Sequence, residues 1–266
     1  MDTILPEVCL ADGERLDEIN EHLRLICKKG GLTFGTDAYL LSAFARAFPK
    51  EGCADLGSGT GVIALLCQSK DKYRRVYAAE LQEEFCDLIR RNVVLNGMDE
   101  CISILPGDIR SLTQSDTDGA LAAVISNPPY MAAGAGLNHT DIRMETARRE
   151  LNGTIYDFCA AASRLLKSGG LFYTVFRPDR MADLFAALRA ASLEPKRMVT
   201  VYPDTESRPC LILVESRRDG SPELLQSPPL IIYKSRTDRT YTADMQRIYD
   251  TFSMEFLFEN RKGNTL

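Results

Sequence analysis

The sequence has no Cys-x-x-Cys pair, only two histidines, no long apolar run and no basic leader. Each absence excludes something. The eight cysteines are scattered from Cys9 to Cys210, and His22 and His139 lie near no cysteine cluster. Neither a metal site nor a disulfide framework is therefore expected. Cys53 and Cys67 sit inside apolar runs, as reduced thiols buried in a cytoplasmic protein do. No stretch reaches the roughly 18 apolar residues that would read as a membrane span. Met1 to Leu10 lacks the basic-then-apolar order of a secretory leader, so neither a leader nor a membrane partner is expected. A net charge of −5 argues against a chain that coats nucleic acid indiscriminately, while leaving room for a local basic face. There is no repeat of fixed period and no low-complexity tract.

What is present reads as one large α/β domain. Hydrophobic residues make up 45% of 266, enough for a sizeable core. Ala38 to Phe48 has a helical pattern that stops at Pro49. Strands are then expected at Cys53–Leu56, Arg75–Ala79, Cys101–Leu105, Ala120–Ser126 and Leu171–Phe176, with helices at Val62–Ser69, Glu83–Asn96, Tyr156–Leu166 and Met181–Ser192. This alternation predicts a mostly parallel sheet with helices on both faces. Met198–Tyr202 and Cys210–Glu215 have no helix between them and should pair as a hairpin, making one strand antiparallel. The apolar segment Ser227–Tyr233 is expected to pack back on the domain, Tyr241–Phe258 to be helical, and 260–266 to be mobile.

Two motifs carry chemistry. Asp55-Leu-Gly57-Ser58-Gly59-Thr-Gly61 follows a strand and opens a helix, the setting of a nucleotide-binding loop. It lacks the Lys-Ser/Thr of a P-loop and the spacing of the dinucleotide fingerprint, so pyrophosphate is not the expected ligand. Glu80 ends the next strand, at a position that faces the ligand crevice of an open α/β sheet and suits a ribose diol. Asp108 follows the third strand, beside Ile109, and suits an adenine amino group. Singly these residues read as a strand-to-helix turn, a solvated strand end and a turn residue. In order at three strand ends, they describe a pocket for adenosine without phosphates.

Asn127-Pro128-Pro129-Tyr130 directly follows a buried strand. The lone pair of an amide or aromatic amino nitrogen is delocalised, so it attacks a methyl sulfonium poorly. Two fixed oxygen acceptors, the Asn127 side chain and the Pro128 carbonyl, would draw the nitrogen towards tetrahedral geometry and steady its developing charge. The prolines would hold those acceptors in place, and Tyr130 offers a ring for a planar base. The plain alternative is a proline-rich turn.

These residues resemble the class I S-adenosylmethionine-dependent methyltransferases, a Rossmann-like fold with a seven-stranded sheet. Asn127 to Tyr130 resembles the amino-methylating branch. With Phe34-Gly-Thr36-Asp37, Arg143 through Ala147-Arg148-Arg149-Glu150, Arg208 to Glu215, Pro228 to Tyr233 and Tyr241-Thr242, the order is similar to the bacterial tRNA1(Val) adenine-N6 methyltransferase family, from about Leu25 to about Tyr249. The resemblance implies S-adenosylmethionine as cofactor, held by Asp55, Gly57, Ser58, Gly59, Gly61, Glu80, Leu81, Asp108, Ile109 and Asn127. It implies a tRNA adenine just 3′ of the anticodon as target, with Asn127 to Tyr130 catalytic and Arg143, Arg148 and Arg149 towards RNA or on a solvated helix face. Thr36 and Asp37 either reach the methionine part of the cofactor or cap a helix. Where the family often reads Ala-Arg-His-Glu, this chain has Arg149 in place of the histidine, which argues against an essential imidazole base. Expected divisions are an N-terminal extension over 1–30, a methyltransferase domain over 31–217 and a C-terminal extension over 218–266. Methylation of a release-factor glutamine, of DNA or of ribosomal RNA, and a cofactor-binding scaffold without activity, remain the alternatives. The oligomeric state stays open.

Overall fold

The computed structural model describes residues 9–30, 35–129 and 153–259. An N-terminal hairpin pairs β1 (Glu14–Asn20) with β2 (Leu23–Lys28). There follow α1 (Thr36–Phe44), β3 (Phe48–Leu56), α2 (Val62–Gln68), β4 (Tyr73–Glu80), α3 (Glu83–Leu95), β5 (Ile102–Pro106) and β6 (Leu121–Ser126). The chain continues with α4 (Ile155–Leu165), β7 (Leu166–Phe176), α5 (Met181–Ala190), β8 (Leu193–Tyr202), β9 (Leu211–Arg218), β10 (Leu225–Gln226), β11 (Leu230–Ile231) and α6 (Ala243–Thr251).

The main sheet has the order β10-β8-β9-β7-β6-β3-β4-β5, with β11 also on β8. Only β9 runs antiparallel to its neighbours, and it is inserted between β7 and β8 rather than at the sheet's edge. The Rossmann-like expectation holds, with nine strands in place of seven. The extra two are two-residue strands added parallel to β8. Strand alternation sorts the side chains. Cys53, Val76, Ala78, Ala123, Ile125 and Val175 face α1, α2 and the C-terminal segment; Ala54, Leu56, Tyr77, Val124 and Phe172 face α4 and α5.

Helix α1 ends earlier than its sequence pattern, and Pro49 is not the reason. Lys72, almost fully buried, donates from Nζ to the carbonyls of Ser42 (2.7 Å) and Ala45 (2.6 Å). An ammonium at a helix C-terminus satisfies orphan carbonyls and opposes the helix dipole. The chain turns extended at Ala45, and Pro49 lies inside β3. The C-terminal helix is likewise shorter than its pattern. It stops where Phe252 takes a left-handed conformation (φ 51°) beneath Lys72, whose Nζ is 4.8 Å from the ring centre. Met245, Ile248, Phe252 and Phe258 then join the core on the α1 side.

Two asparagines one turn apart, Asn92 in the last turn of α3 and its C-cap Asn96, hold the hairpin to the domain. Asn92 accepts from the N–H of Ile26 (2.6 Å) and donates to its carbonyl (3.1 Å). Asn96 makes the same pair of bonds with Arg24 (3.0 and 2.8 Å). Asn92 also donates to the Thr60 carbonyl (3.0 Å), which ties hairpin and glycine loop to one side chain.

Candidate active site

Because β6, β3, β4 and β5 are adjacent and parallel, their carboxyl ends bring the glycine loop, Glu80, Asp108 and Asn127 to one end of the sheet. Gly57, Gly59 and Gly61 all sit at positive φ (72°, 57° and 83°), where a side chain is strained. At Gly57 a Cβ would also lie 3.1 Å from the Phe158 ring. The N–H groups of Gly57 and Ser58 both donate to the Ala79 carbonyl at 3.0 Å, which fastens the loop to the end of β4.

Glu80 is buried. One carboxylate oxygen accepts from the Gly59 N–H and the other from the Gln82 N–H, both at 2.9 Å. Each oxygen retains a lone pair, so a ribose diol can still donate to both. Leu81, next in sequence, is 40% exposed and presents an apolar side chain beside it.

Asp55 is buried at the base of the loop. Its Oδ2 accepts from the Ser58 hydroxyl, and its Oδ1 is buried with no partner among the described residues. Burial pushes this carboxyl up to about 7; the Ser58 hydrogen bond opposes the rise, the Glu80 charge adds to it, and the Ala64 N–H at the start of α2 opposes it more weakly. An orphaned buried acceptor is an unfilled requirement. A ligand with an ammonium group satisfies it, and a ligand with a diol satisfies Glu80. Open space beyond the Cα of Gly59 leaves the loop accessible. These residues fit S-adenosylmethionine.

The catalytic turn has a partner that its motif does not announce. The Asn127 Nδ2 donates to the Asp37 Oδ2 at 3.0 Å. A carboxylate only accepts, so it fixes which end of the amide faces it and leaves the Asn127 oxygen directed elsewhere. The Asp37 Oδ1 accepts from the Ala38 N–H at 2.9 Å. A Cβ at Gly35 would lie 2.2 Å from that same oxygen, so the glycine makes room for the carboxylate. The capping alternative for Thr36 and Asp37 is not what forms: the N-cap is Gly35, with no side-chain cap bond, and Thr36 and Asp37 are the first two helical residues.

Asp108 reaches the rim but is engaged by Arg110. It accepts from the Arg110 backbone N–H (2.8 Å) and from its guanidinium (2.8 Å from Nε), which holds the carboxyl below its usual range. Ile109 is buried among Tyr77, Leu112 and Phe158 rather than open to the crevice. Beside Pro128 and Pro129 lies a cavity of about 210 Å³, lined also by Ile155, Phe158, Phe176 and Arg180. Tyr130, Arg143, Arg148 and Arg149 lie outside the described residues. Sequence reasoning missed the Asp37 link to Asn127 and the Asn92 clamp on the loop. A polar residue at a helix position otherwise reserved for core was the available signal for the second.

The described residues contain no cluster of three or more metal-ligating side chains and no helix long and apolar enough to cross a membrane. The sequence model of the methyltransferase small domain family matches residues 27–191. A tRNA1(Val) (adenine(37)-N6)-methyltransferase from Porphyromonas gingivalis is 29% identical over 189 residues, 69% of this chain and 73% of the relative. One from Dickeya chrysanthemi is 28% identical over 224 residues, 82% and 86% of the two chains. Among solved structures, a predicted O-methyltransferase from Agrobacterium tumefaciens superposes with a TM-score of 0.64 at 21% identity, covering 82% of this chain and 97% of that one, which speaks to the fold. A glycine loop with an unfilled carboxylate, an acidic strand end and a family match over most of the sheet converge: the chain belongs to the methyltransferase small domain family, and it is an S-adenosylmethionine-dependent methyltransferase.

Proposed function

We propose that the chain methylates N6 of an adenine in tRNA, the adenosine 3′ of the anticodon in tRNA1(Val), and does so in the cytoplasm. The observation that carries this is the orientation of Asn127, whose amide nitrogen is held by Asp37 at 3.0 Å so that its oxygen is free to accept. The relatives from P. gingivalis and D. chrysanthemi, named for that reaction, support the substrate.

In this reading Asp55 and Glu80 hold the ammonium and the ribose diol of the cofactor, with Leu81 against the adenine. Asp108 serves the adenine amino group once Arg110 releases it. The cofactor supplies a methyl group on a positively charged sulfur. The chain supplies placement: the Asn127 oxygen and the Pro128 carbonyl accept the two N6–H bonds, and Tyr130 stacks the base. Pro128 and Pro129 keep the two acceptors rigid before substrate arrives, so little reorganisation is left for the reaction step. A target adenine in a tRNA loop must leave its stack to reach them. The catalytic domain in this reading spans 31–217, with a C-terminal extension over 218–266 whose described part, to Glu259, packs on it.

The test is methyl transfer from labelled S-adenosylmethionine to total tRNA, total protein and DNA, followed by nucleoside mass spectrometry. Label recovered as N6-methyladenosine in tRNA is the expected result. Label in protein or DNA instead, or in none of the three despite cofactor binding, would overturn the reading.

A further inference from the structure

Among the described residues, the arginines that follow β5 and β7 are paired with carboxylates. Arg110 pairs with Asp108, Arg177 with Asp179 (2.6 Å) and Arg180 with Asp183, each through a residue two or three positions away. The C-terminal segment is different. Lys234, Arg236 and Arg239 are exposed and have no carboxylate within ion-pairing distance among the described residues. Between Tyr233 and Tyr249 there are four cations (Lys234, Arg236, Arg239, Arg247) and two aspartates (Asp238, Asp244), a net +2 in a chain of net −5. Asp238 is turned into its own loop, accepting from the Thr240 N–H (2.9 Å) and hydroxyl (2.7 Å).

These cations stand beside a ladder of tyrosines. Tyr39 stacks on Tyr249 (ring centres 5.8 Å apart), Tyr249 packs against Tyr241 (6.3 Å) and Tyr241 stacks on Tyr233 (5.7 Å). Arg239 lies over the outer ring, 4.9 Å from the centre of Tyr233. The spacing exceeds close face-to-face stacking, so the rings are offset, and Tyr241 and Tyr249 remain 38% and 50% exposed. The platform is rigid. Tyr233 and Tyr241 form an antiparallel bridge, the Lys234 N–H donates to the Thr240 carbonyl (3.0 Å), and Thr242 caps α6 through Met245. Its inner end is Tyr39 on α1, the helix whose first turn carries Asp37, the partner of Asn127.

We infer that this ladder, Tyr39–Tyr249–Tyr241–Tyr233 with Lys234, Arg236 and Arg239, is the surface that holds the RNA strand leading to the target adenine. Aromatic side chains interleaved with exposed cations that make no ion pair among the described residues match the two faces of a single strand: bases and riboses pack on the rings, and phosphates meet the cations. The charge sign selects a polyanion over an ordinary protein partner for a chain that is otherwise acidic. The inference rests on the proposed tRNA substrate for the identity of the strand, and its test separates the two.

The test uses the full chain and the triple variant K234A/R236A/R239A, whose side chains are exposed and leave the core intact. A second variant, Tyr241→Ser, removes one exposed ring. Binding of fluorescent tRNA is followed by anisotropy from 50 to 200 mM salt, with cofactor affinity and melting temperature as controls. The triple variant is expected to bind tRNA at least about 30-fold more weakly at low salt. Its dependence of log K on log salt should flatten by roughly 2, at about 0.7 to 0.9 for each phosphate that is no longer neutralised. Tyr241→Ser is expected to weaken binding about 10-fold with the slope unchanged. Cofactor affinity stays at the wild-type value in both. Wild-type affinity and slope in the triple variant would overturn the inference. So would a change confined to self-association in sedimentation, or to anionic vesicles. If the wild-type protein binds tRNA through these residues yet leaves no N6-methyladenosine in it, the substrate reading fails while the surface stands.

Discussion

The crevice and the tyrosine ladder lie on the same molecule and follow opposite electrostatic rules. In the crevice, Asp37, Asp55 and Glu80 are held by neutral donors, and among the described residues none has a cationic partner. On the ladder, Lys234, Arg236 and Arg239 make no ion pair among the described residues; Asp238 and Asp204 act on Lys234 and Arg236 only from beyond contact distance. The described arginines after β5 and β7 behave differently again, each paired with an aspartate two or three residues away. The difference is the one that the proposed sites require, a cationic ligand in the crevice and a polyanion on the ladder.

The largest expected effect is on Asp55. Its carboxyl is raised to about 7 in the folded chain, against 3.8 unfolded. The stability gained by keeping it neutral is therefore fully present below about pH 4 and lost as pH rises through about 7. Relative to Asp55→Asn, the cofactor-free protein should lose up to roughly 4 kcal/mol between pH 4 and pH 8. Urea melts across that range check it, and parallel curves for the two proteins would remove the claim that burial dominates at this carboxyl.

Next is Asp37. Replacing it by alanine frees the Asn127 amide to rotate, and kcat is expected to fall roughly 10- to 100-fold with little change in cofactor affinity. Asp37→Asn retains an oxygen to accept from Asn127 and should recover most of the rate. If both variants lose activity equally, or the loss lies in KM, Asp37 does not act through Asn127.

Glu80→Gln replaces one acceptor oxygen by an amide donor facing backbone N–H groups that are themselves donors. Calorimetry is expected to show cofactor affinity about 10-fold weaker. A smaller effect follows on the other side of the comparison. Arg239→Ala alone should raise KM for tRNA about 3-fold and leave cofactor affinity at the wild-type value.

The parts of this architecture that were legible in the sequence were those with a local period or a local motif. Buried strands such as Leu121–Ser126, amphipathic helices such as α3, and the glycine loop each carry their own signature in consecutive residues. The hairpin did not: Glu14–Asn20 has four charged residues in seven and no apolar alternation, because it is held by β2, and β2 by Asn92 of α3 and its C-cap Asn96. The two strands beyond the expected seven are two residues long and flanked by Pro222, Pro228 and Pro229, too short to show any period. The end of α1 was misplaced because Lys72, 27 residues beyond Ala45, terminates it. In the site, Glu80 and Asn127 were legible from their place after strands. The Asp37 carboxylate was not, because its role depends on a contact across 90 residues, and a helix-capping residue type looks the same in sequence.

The central claim is that the Asn127 oxygen is a fixed acceptor for the reacting amino group. Its most direct test is Asn127→Ala, with calorimetric binding of S-adenosylmethionine and single-turnover methyl transfer to tRNA measured on the same preparation. Cofactor affinity is expected within about 3-fold of wild type and transfer slowed at least 100-fold, the scale seen when one preorganised transition-state hydrogen bond is removed. Transfer at the wild-type rate in that variant, with cofactor bound, would contradict it.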